Sequence, residues 1–189
     1  DQTGSVTTKS LRFSPDLSGT EWKALGVPLA SAVIKNSTEE EISAPSVQNV
    51  DNGIWFARLK DNKTPEFVVD ESAFGMAGLW AANGDTYTIS SEGAFEFKTL
   101  EEPAAPTETG TFLMCSNPNT FTITLKQSAY ILTTDGTSFE QEANPEIKPF
   151  QSFVLTDAKT LSTLRSLRIG DGVVTGNQTI EPVDGYYVT

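Results

Sequence analysis

Along most of this chain, short apolar stretches alternate with clusters of Gly, Pro, Asn and Asp, and that cadence leaves little room for long helices. Thr7 to Phe13 reads as a strand running into a turn at Ser14-Pro15-Asp16. Glu21 to Ile34 reads as a strand followed by an irregular stretch, with Pro28 opposing a helix through its middle. Asp51-Asn52-Gly53 is a strong turn signal. It opens Ile54 to Leu59, which pairs in a hairpin with Phe67 to Val69 beyond Asp61-Asn62-Lys63-Thr64-Pro65. Thr86 to Ser90 and Phe95 to Lys98 alternate with period two around Glu92-Gly93, which predicts a second hairpin. Between the two, Ser72 to Ala82 carries Gly75 and Gly78 among apolar residues, the pattern of a tight connection rather than a strand. Lys35 to Ser46, with Glu39-Glu40-Glu41, reads as one helical turn or a solvated loop.

The segment 101–109, reading EEPAAPTET, has the composition of an extended, solvated linker. It separates an N-terminal β half, 11–100, from a C-terminal half, 110–189, and residues 1–10 are polar enough to serve as a flexible lead-in. That lead-in lacks a basic-then-apolar signal, as expected of a mature or a trimmed chain. In the second half, Gly110 to Met114, Thr120 to Lys126, Tyr130 to Thr134 and Phe150 to Leu155 read as strands separated by turns. Only Asp157 to Leu164 reads as helical, with Asp157 placed to cap it, before a strand at Leu167 to Ile169. The expected fold is all-β: an antiparallel β-sandwich, or two small β subdomains packed together, with at most one short helix.

The chain of 189 residues carries a formal charge of −12, and its 13 Lys and Arg are scattered singly. Nucleic acid, which needs runs of cations to neutralise successive phosphates, is excluded as a partner on this ground. No apolar run approaches the roughly 20 residues of a membrane-spanning helix, so direct membrane insertion is not expected. The chain has no histidine. Imidazole acid–base chemistry, Ser-His-Asp and Cys-His nucleophiles and His-ligated metals are therefore out of reach, and catalysis would rest on carboxylates, Lys, Tyr or a Ser-Lys pair. The single cysteine, Cys115, cannot form an internal bridge and follows Leu113-Met114 as a small core residue would.

Three segments resemble a family of secreted and surface-exposed β domains of Bacteroidetes-type Gram-negative bacteria, of the kind appended to leucine-rich-repeat or adhesin-like proteins. Trp22-Lys23-Ala24-Leu25-Gly26-Val27-Pro28-Leu29 is similar to that family's early W-x-T-L-x-L-P-F strand, with Ala24 and Leu29 departing from it. The run from Tyr130 through Asp135-Gly136 to Phe139 is similar to its Y-x-L-s-x-x-G-x-x-F hairpin. Ile147-Lys148-Pro149-Phe150-Gln151-Ser152-Phe153 resembles its I-x-P-F-R-A-Y-F strand, with Gln151 and Ser152 in place of Arg and Ala. The resemblance implies an extracytoplasmic domain, secreted or on the cell surface, and transfers no catalytic residue, cofactor or metal.

Several constellations point to chemistry, each beside a plainer reading. Asp70, Glu71 and Glu96 are candidates for a carboxylate pair of a carbohydrate-active enzyme, but in a chain with 25 acidic residues proximity is unremarkable and a solvated surface is the better account. Asp51, Asn52, Asp61, Asn62 and Asp171 offer oxygen ligands for calcium, although Asp-Gly and Asn-Gly are ordinary turn chemistry and no EF-hand spacing is present. Asn36, Asn62 and Asn177 begin glycosylation-type triplets, which carry no weight in a bacterial protein. Trp22 and Trp55 sit within apolar strands and are expected in the core. Trp80 sits beside a turn, and Tyr186 and Tyr187, adjacent in sequence, cannot both face inward on a strand. These three are the candidate ligand-binding residues, for a glycan whose C–H faces stack on aromatic rings or for a surface protein. The expected function is that of a non-catalytic module with a binding, structural or adhesive role.

Overall fold

The computed structural model describes residues 6–13, 21–26, 33–42, 54–59, 67–69, 77–82, 87–97 and 102–169. In chain order their strands are β1 (Val6–Phe13), β2 (Lys23–Gly26), β3 (Val33–Lys35), β4 (Glu41–Ile42), β5 (Ile54–Leu59), β6 (Phe67–Val69), β7 (Ala77–Ala82) and β8 (Thr88–Phe97). The second half supplies β9 (Phe112–Ser116), β10 (Ile123–Thr124), β11 (Ala129–Leu132), β12 (Ser138–Glu142), β13 (Glu146–Ile147) and β14 (Ser152–Thr156), then helix α1 (Ala158–Thr163) and β15 (Ser166–Arg168). Two four-stranded sheets, β1-β8-β3-β4 and β2-β7-β5-β6, belong to the first half, and a five-stranded sheet, β15-β12-β11-β14-β9, and the pair β10-β13 to the second. All the pairings between described strands are antiparallel. Over the described residues the chain is all-β with one short helix, as the turn cadence implies.

The five-stranded sheet is buried on both faces along β14, where all five residues from Ser152 to Thr156 are buried. Alternation sends Val154 into one cluster with Phe112, Tyr130, Phe139, Leu164, Leu167 and Ile169, joined by Trp22, Ala57 and Leu79 from the first half. Phe153 and Leu155 point the other way, into a cluster with Leu125, Ala129 and Ile147. A strand covered on both sides reads as an unbroken apolar run, which is what Phe153-Val154-Leu155 is. Full burial of a side chain such as Phe153 contributes roughly 1.5–3 kcal/mol by transfer alone.

The sheet β2-β7-β5-β6 approaches the five-stranded sheet closely. Cα atoms of β2, β5 and β7 come within 8 Å of those of β9, against the ~10 Å usual between stacked sheets. Small residues make this possible: Gly26 lies against Ser116 and Ser152, and Gly26 N–H donates to the Phe150 carbonyl at 2.6 Å.

Several local expectations differ from the structure. Residues 77–82, expected in a tight connection, form β7, an inner strand paired with β2 on one side and β5 on the other. Its Ala and Gly content is poor for an isolated strand, but two flanking partners and the fully buried Leu79 outweigh propensity. The hairpin expected at Glu92-Gly93 is absent: β8 runs through it as one strand of ten residues along β1. Thr8 faces Phe95 and Ser10 faces Glu92, so the register slips where Gly93 lies, and the glycine marks a bulge instead of a turn. Lys35 to Ile42, expected as a helical turn or loop, is a small hairpin in which β3 pairs with β4. Asn36 organises its tip, the side-chain Oδ1 accepting from the N–H groups of Thr38 and Glu40 at 3.0 and 2.9 Å.

The strand expected from Thr120 to Lys126 shrinks to Ile123–Thr124, because only those two residues pair, with β13. β5 and β6 pair as read, and so do β11 and β12 around Asp135-Gly136. The stretch from Glu102 to Thr109 has no strand or helix, and it is tied to the second half where Lys126 N–H donates to Glu102 Oε1 and Gln127 Nε2 to the Pro103 carbonyl. The helix is capped by Asp157 as expected, and its last carbonyl-bearing cap, Leu164, accepts from the buried Tyr130 hydroxyl at 2.8 Å. A helix of six residues would not persist without such tertiary anchors.

Gly136 stands at φ +69, and a Cβ built there would lie 2.6 Å from the Trp22 carbonyl oxygen and 2.8 Å from its nitrogen. The β11–β12 turn is thereby pressed onto the start of β2. Gly136→Ala is expected to lower stability by about 1–3 kcal/mol, from the left-handed backbone and the clash together. Urea unfolding of the two proteins checks it.

Candidate functional site

The most organised loop of the second half follows β9, and it is built on one buried amide. Asn117 is fully buried, and its Nδ2 donates to three carbonyls: Phe121 at 2.8 Å, Ile147 at 3.1 Å and Lys148 at 3.1 Å. Two hydrogens serve three acceptors, so one is shared. Its Oδ1 accepts from the backbone N–H and the side chain of Asn119 at 3.0 and 3.1 Å. The backbone of Asn117 adds two more bonds, donating to the Gln151 carbonyl and accepting from Phe150 N–H.

This arrangement locks residues 117–121 to the turn 148–151, and the locked loop carries Phe121 at its tip. Phe121 is 59% exposed, the most exposed large hydrophobic residue described. Thr120, Thr122, Lys148 and Pro149 are exposed around the same junction. An aromatic ring on a backbone held by a buried amide loses little conformational freedom on meeting a partner. The sequence reading missed both residues, taking Asn117-Pro118 as a plain turn. The available signal was a second asparagine two residues on, the spacing of an Asx turn.

The turn 148–151 has a second peculiarity. Gln151 N–H donates to the Lys148 carbonyl at 3.1 Å, with Pro149 in the second position and Phe150 in the third. Phe150 takes φ +59, a value that turns of this kind usually reserve for glycine. Its ring is nonetheless buried, and its carbonyl faces Gly26.

Asp157 is the buried carboxylate among the described residues, 3% exposed. Its Oδ1 accepts from the N–H groups of Lys159 and Thr160 at 3.0 and 3.1 Å, and Oδ2 from Gly110 N–H at 2.8 Å. Hydrogen bonding, led by the Thr160 side chain, outweighs desolvation and holds the carboxyl down at about 2. That is the state of a helix cap and the opposite of what a general acid needs near neutral pH. Burial pushes the Cys115 thiol up to about 11 and the Tyr130 hydroxyl up to about 12, so neither is a ready nucleophile.

Of the sequence candidates, Trp80 lies in β7 opposite Lys23 and Phe56, and Glu96 in β8 opposite Thr7. Tyr186, Tyr187, Asp70, Glu71 and the calcium candidates Asp51, Asn52, Asp61, Asn62 and Asp171 lie outside the described residues. Trp22 is in the core, as expected. Among the described residues no three His, Cys, Asp or Glu side chains converge as a metal site, and no helix is long and apolar enough to cross a membrane. No family model, curated protein or solved structure matches the chain.

Two variants test the roles assigned here. Asn117→Ala strands the Ile147 carbonyl in a buried setting and those of Phe121 and Lys148 in a partly buried one, at about 1–3 kcal/mol for each group left unsatisfied. A loss of at least about 3 kcal/mol in urea unfolding is expected, together with proteolytic sensitivity at 117–122. For Asp157 the folded pKa lies below the ordinary value of 3.8, so its charge stabilises the fold above that value, and the contribution disappears as pH falls towards about 2. Asp157→Asn is expected to be less stable than the parent chain at pH 6. The difference should shrink between pH about 4 and about 2, as thermal unfolding across that range would show.

Proposed function

We propose that this chain is a non-catalytic module, secreted or held on the surface of a Gram-negative cell, that engages a glycan or a protein partner in an adhesive or structural role. The observation that carries the reading is Phe121, presented to solvent on a loop that Asn117 holds rigid. Exposed aromatic rings on rigid backbone are the residues that most often anchor partners. The strand resemblances over Trp22–Leu29, Tyr130–Phe139 and Ile147–Phe153 support the location outside the cytoplasm. The engagement of Asp157 as a helix cap supports a role without acid–base catalysis.

A protein partner gains support from β9. This strand, Phe-Leu-Met-Cys-Ser, carries no charge, pairs with β14 along one edge, and has no partner among the described strands along the other. Leu113 on it is 42% exposed. Uncharged edges of this kind accept added strands from other chains.

A glycan array and a capture assay against envelope proteins, run with the parent chain, Phe121→Ala, Trp80→Ala and a Tyr186→Ala/Tyr187→Ala double variant, test the proposal. Binding that falls by about 30-fold in Phe121→Ala, the scale of a truncated anchor residue, is the expected result. Binding unchanged in that variant but lost in one of the others moves the site to Trp80 or the tyrosine pair. No binding in either assay overturns the partner-binding reading.

A further inference from the structure

We propose that β9 is a self-association edge: two copies of this chain pair antiparallel along their β9 strands, about a two-fold axis at Met114, and join their five-stranded sheets into one. This rests on the reading of β9 as an edge that accepts an added strand, and it names the occupant. Asn117, directly after β9, donates its N–H to the Gln151 carbonyl, on the side of β14. Backbone groups alternate sides along an antiparallel strand, so those of Cys115 and Leu113 turn to β14 and those of Phe112, Met114 and Ser116 turn outward. No described strand lies along that outer edge. The sheet β2-β7-β5-β6 meets β9 on its face, where Gly26 lies against Ser116 and Phe112 joins the shared core, and adds no strand to the edge.

Charge and register favour a second copy as the occupant. The chain carries −12, so two copies repel wherever their acidic surfaces meet. Thr109 to Leu125 is the longest stretch of the sequence without Asp, Glu, Lys or Arg, and it contains the whole of β9. Of the exposed large hydrophobic residues described, Val33, Leu113 and Phe121, the last two lie within it. The opposite edge of the same sheet, β15, carries Arg168, and a charged edge opposes such pairing. β9 is also complementary to itself. Antiparallel pairing about Met114 sets Met114 against its own equivalent, Phe112 against Ser116 and Leu113 against Cys115. The outward N–H and C=O groups of Phe112, Met114 and Ser116 then find partners in the second copy, no charge enters the seam, and the exposed Leu113 gains an apolar neighbour.

Sedimentation equilibrium of the full chain, parent and Leu113→Lys, tests the contact. One strand edge is a small interface, so the parent is expected to dimerise weakly, with half the chains paired at about 10–100 µM. Leu113→Lys, at an exposed position, puts a charge into the seam and is expected to raise that midpoint at least about tenfold, with urea unfolding of the monomer unchanged. Cross-linking reads the register. In this pairing position 113 stands opposite Cys115 of the second copy in a non-hydrogen-bonded pair, with Cα atoms about 4.5 Å apart and within reach of a disulfide. Cys115 lies on the diagonal from its own equivalent, at roughly 7–8 Å and beyond that reach. An added thiol oxidant, which takes up the two electrons, is therefore expected to link Leu113→Cys into covalent dimers and to leave the parent unlinked. A parent chain that stays monomeric up to about 1 mM overturns the proposal. If that monomer still captures an envelope protein, the reading of the edge stands and the occupant alone is wrong. A dimer that Leu113→Lys leaves intact, or that Leu113→Cys fails to link, overturns the proposal as well, because the contact then lies elsewhere.

Discussion

The buried amide of Asn117 is the point on which the second half of the molecule depends. One side chain and its own backbone join the end of β9, the loop to Phe121, the end of β13 and the turn before β14. In water each of these carbonyls would find a partner freely, but in the fold the Ile147 carbonyl is buried and must be satisfied by protein. An apolar residue of the same size would remove all three side-chain bonds at once and orphan the buried Ile147 carbonyl. The same amide fixes where Phe121 emerges and where Phe150 turns, so it couples the exposed loop to the contact with the first half.

Around that junction the energetics follow from layering. β14 is covered on both faces, and its alternation assigns Val154 to one cluster and Phe153 and Leu155 to the other. The sheet β2-β7-β5-β6 comes close where Gly26 meets Ser116 and Ser152, and beside that contact Trp22, Ala57 and Leu79 are buried with Phe112, Tyr130, Phe139 and Val154. Close approach there adds dispersion contacts to the apolar area that this shared cluster removes from water. The helix plays a different part. Asp157 satisfies its first N–H groups and Tyr130 the carbonyl of its C-cap Leu164, so six residues that would not be helical alone are held beside the core, against which Leu161 packs.

The local elements that sequence reading recovered are those where a turn and its flanking strands are neighbours in the chain. Asp135-Gly136 between Tyr130 and Phe139 is such a case, and Asp157 at the head of a short Leu-spaced segment is another. The readings that failed share a different cause. Glu92-Gly93 looks like a hairpin turn until β1, some eighty residues earlier in the chain, lies alongside β8 and turns the glycine into a bulge. Ala77 to Ala82 looks like a connection until β2 and β5 pair with both its edges. In neither place does the local composition contain the partner that decides the outcome.

For the candidate site the contrast is sharper. Sequence pointed to Trp80, Tyr186 and Tyr187 because aromatic type and turn proximity are visible in a string of letters. Phe121 was passed over because the sequence places it in a strand from Thr120 to Lys126, whereas only Ile123–Thr124 forms one and Phe121 stands exposed on the loop before it. What the sequence determined by itself is the class of fold and the limits on chemistry: strand-length apolar runs cut by turn residues, and no imidazole anywhere in the chain. Tertiary structure alone decided which strands pair across long separations, that Asn117 is buried and Phe121 is not, and that Phe150 must adopt a backbone conformation its side chain disfavours. Turn chemistry and residue type act over a few positions, whereas burial, register and strain arise only when distant segments meet.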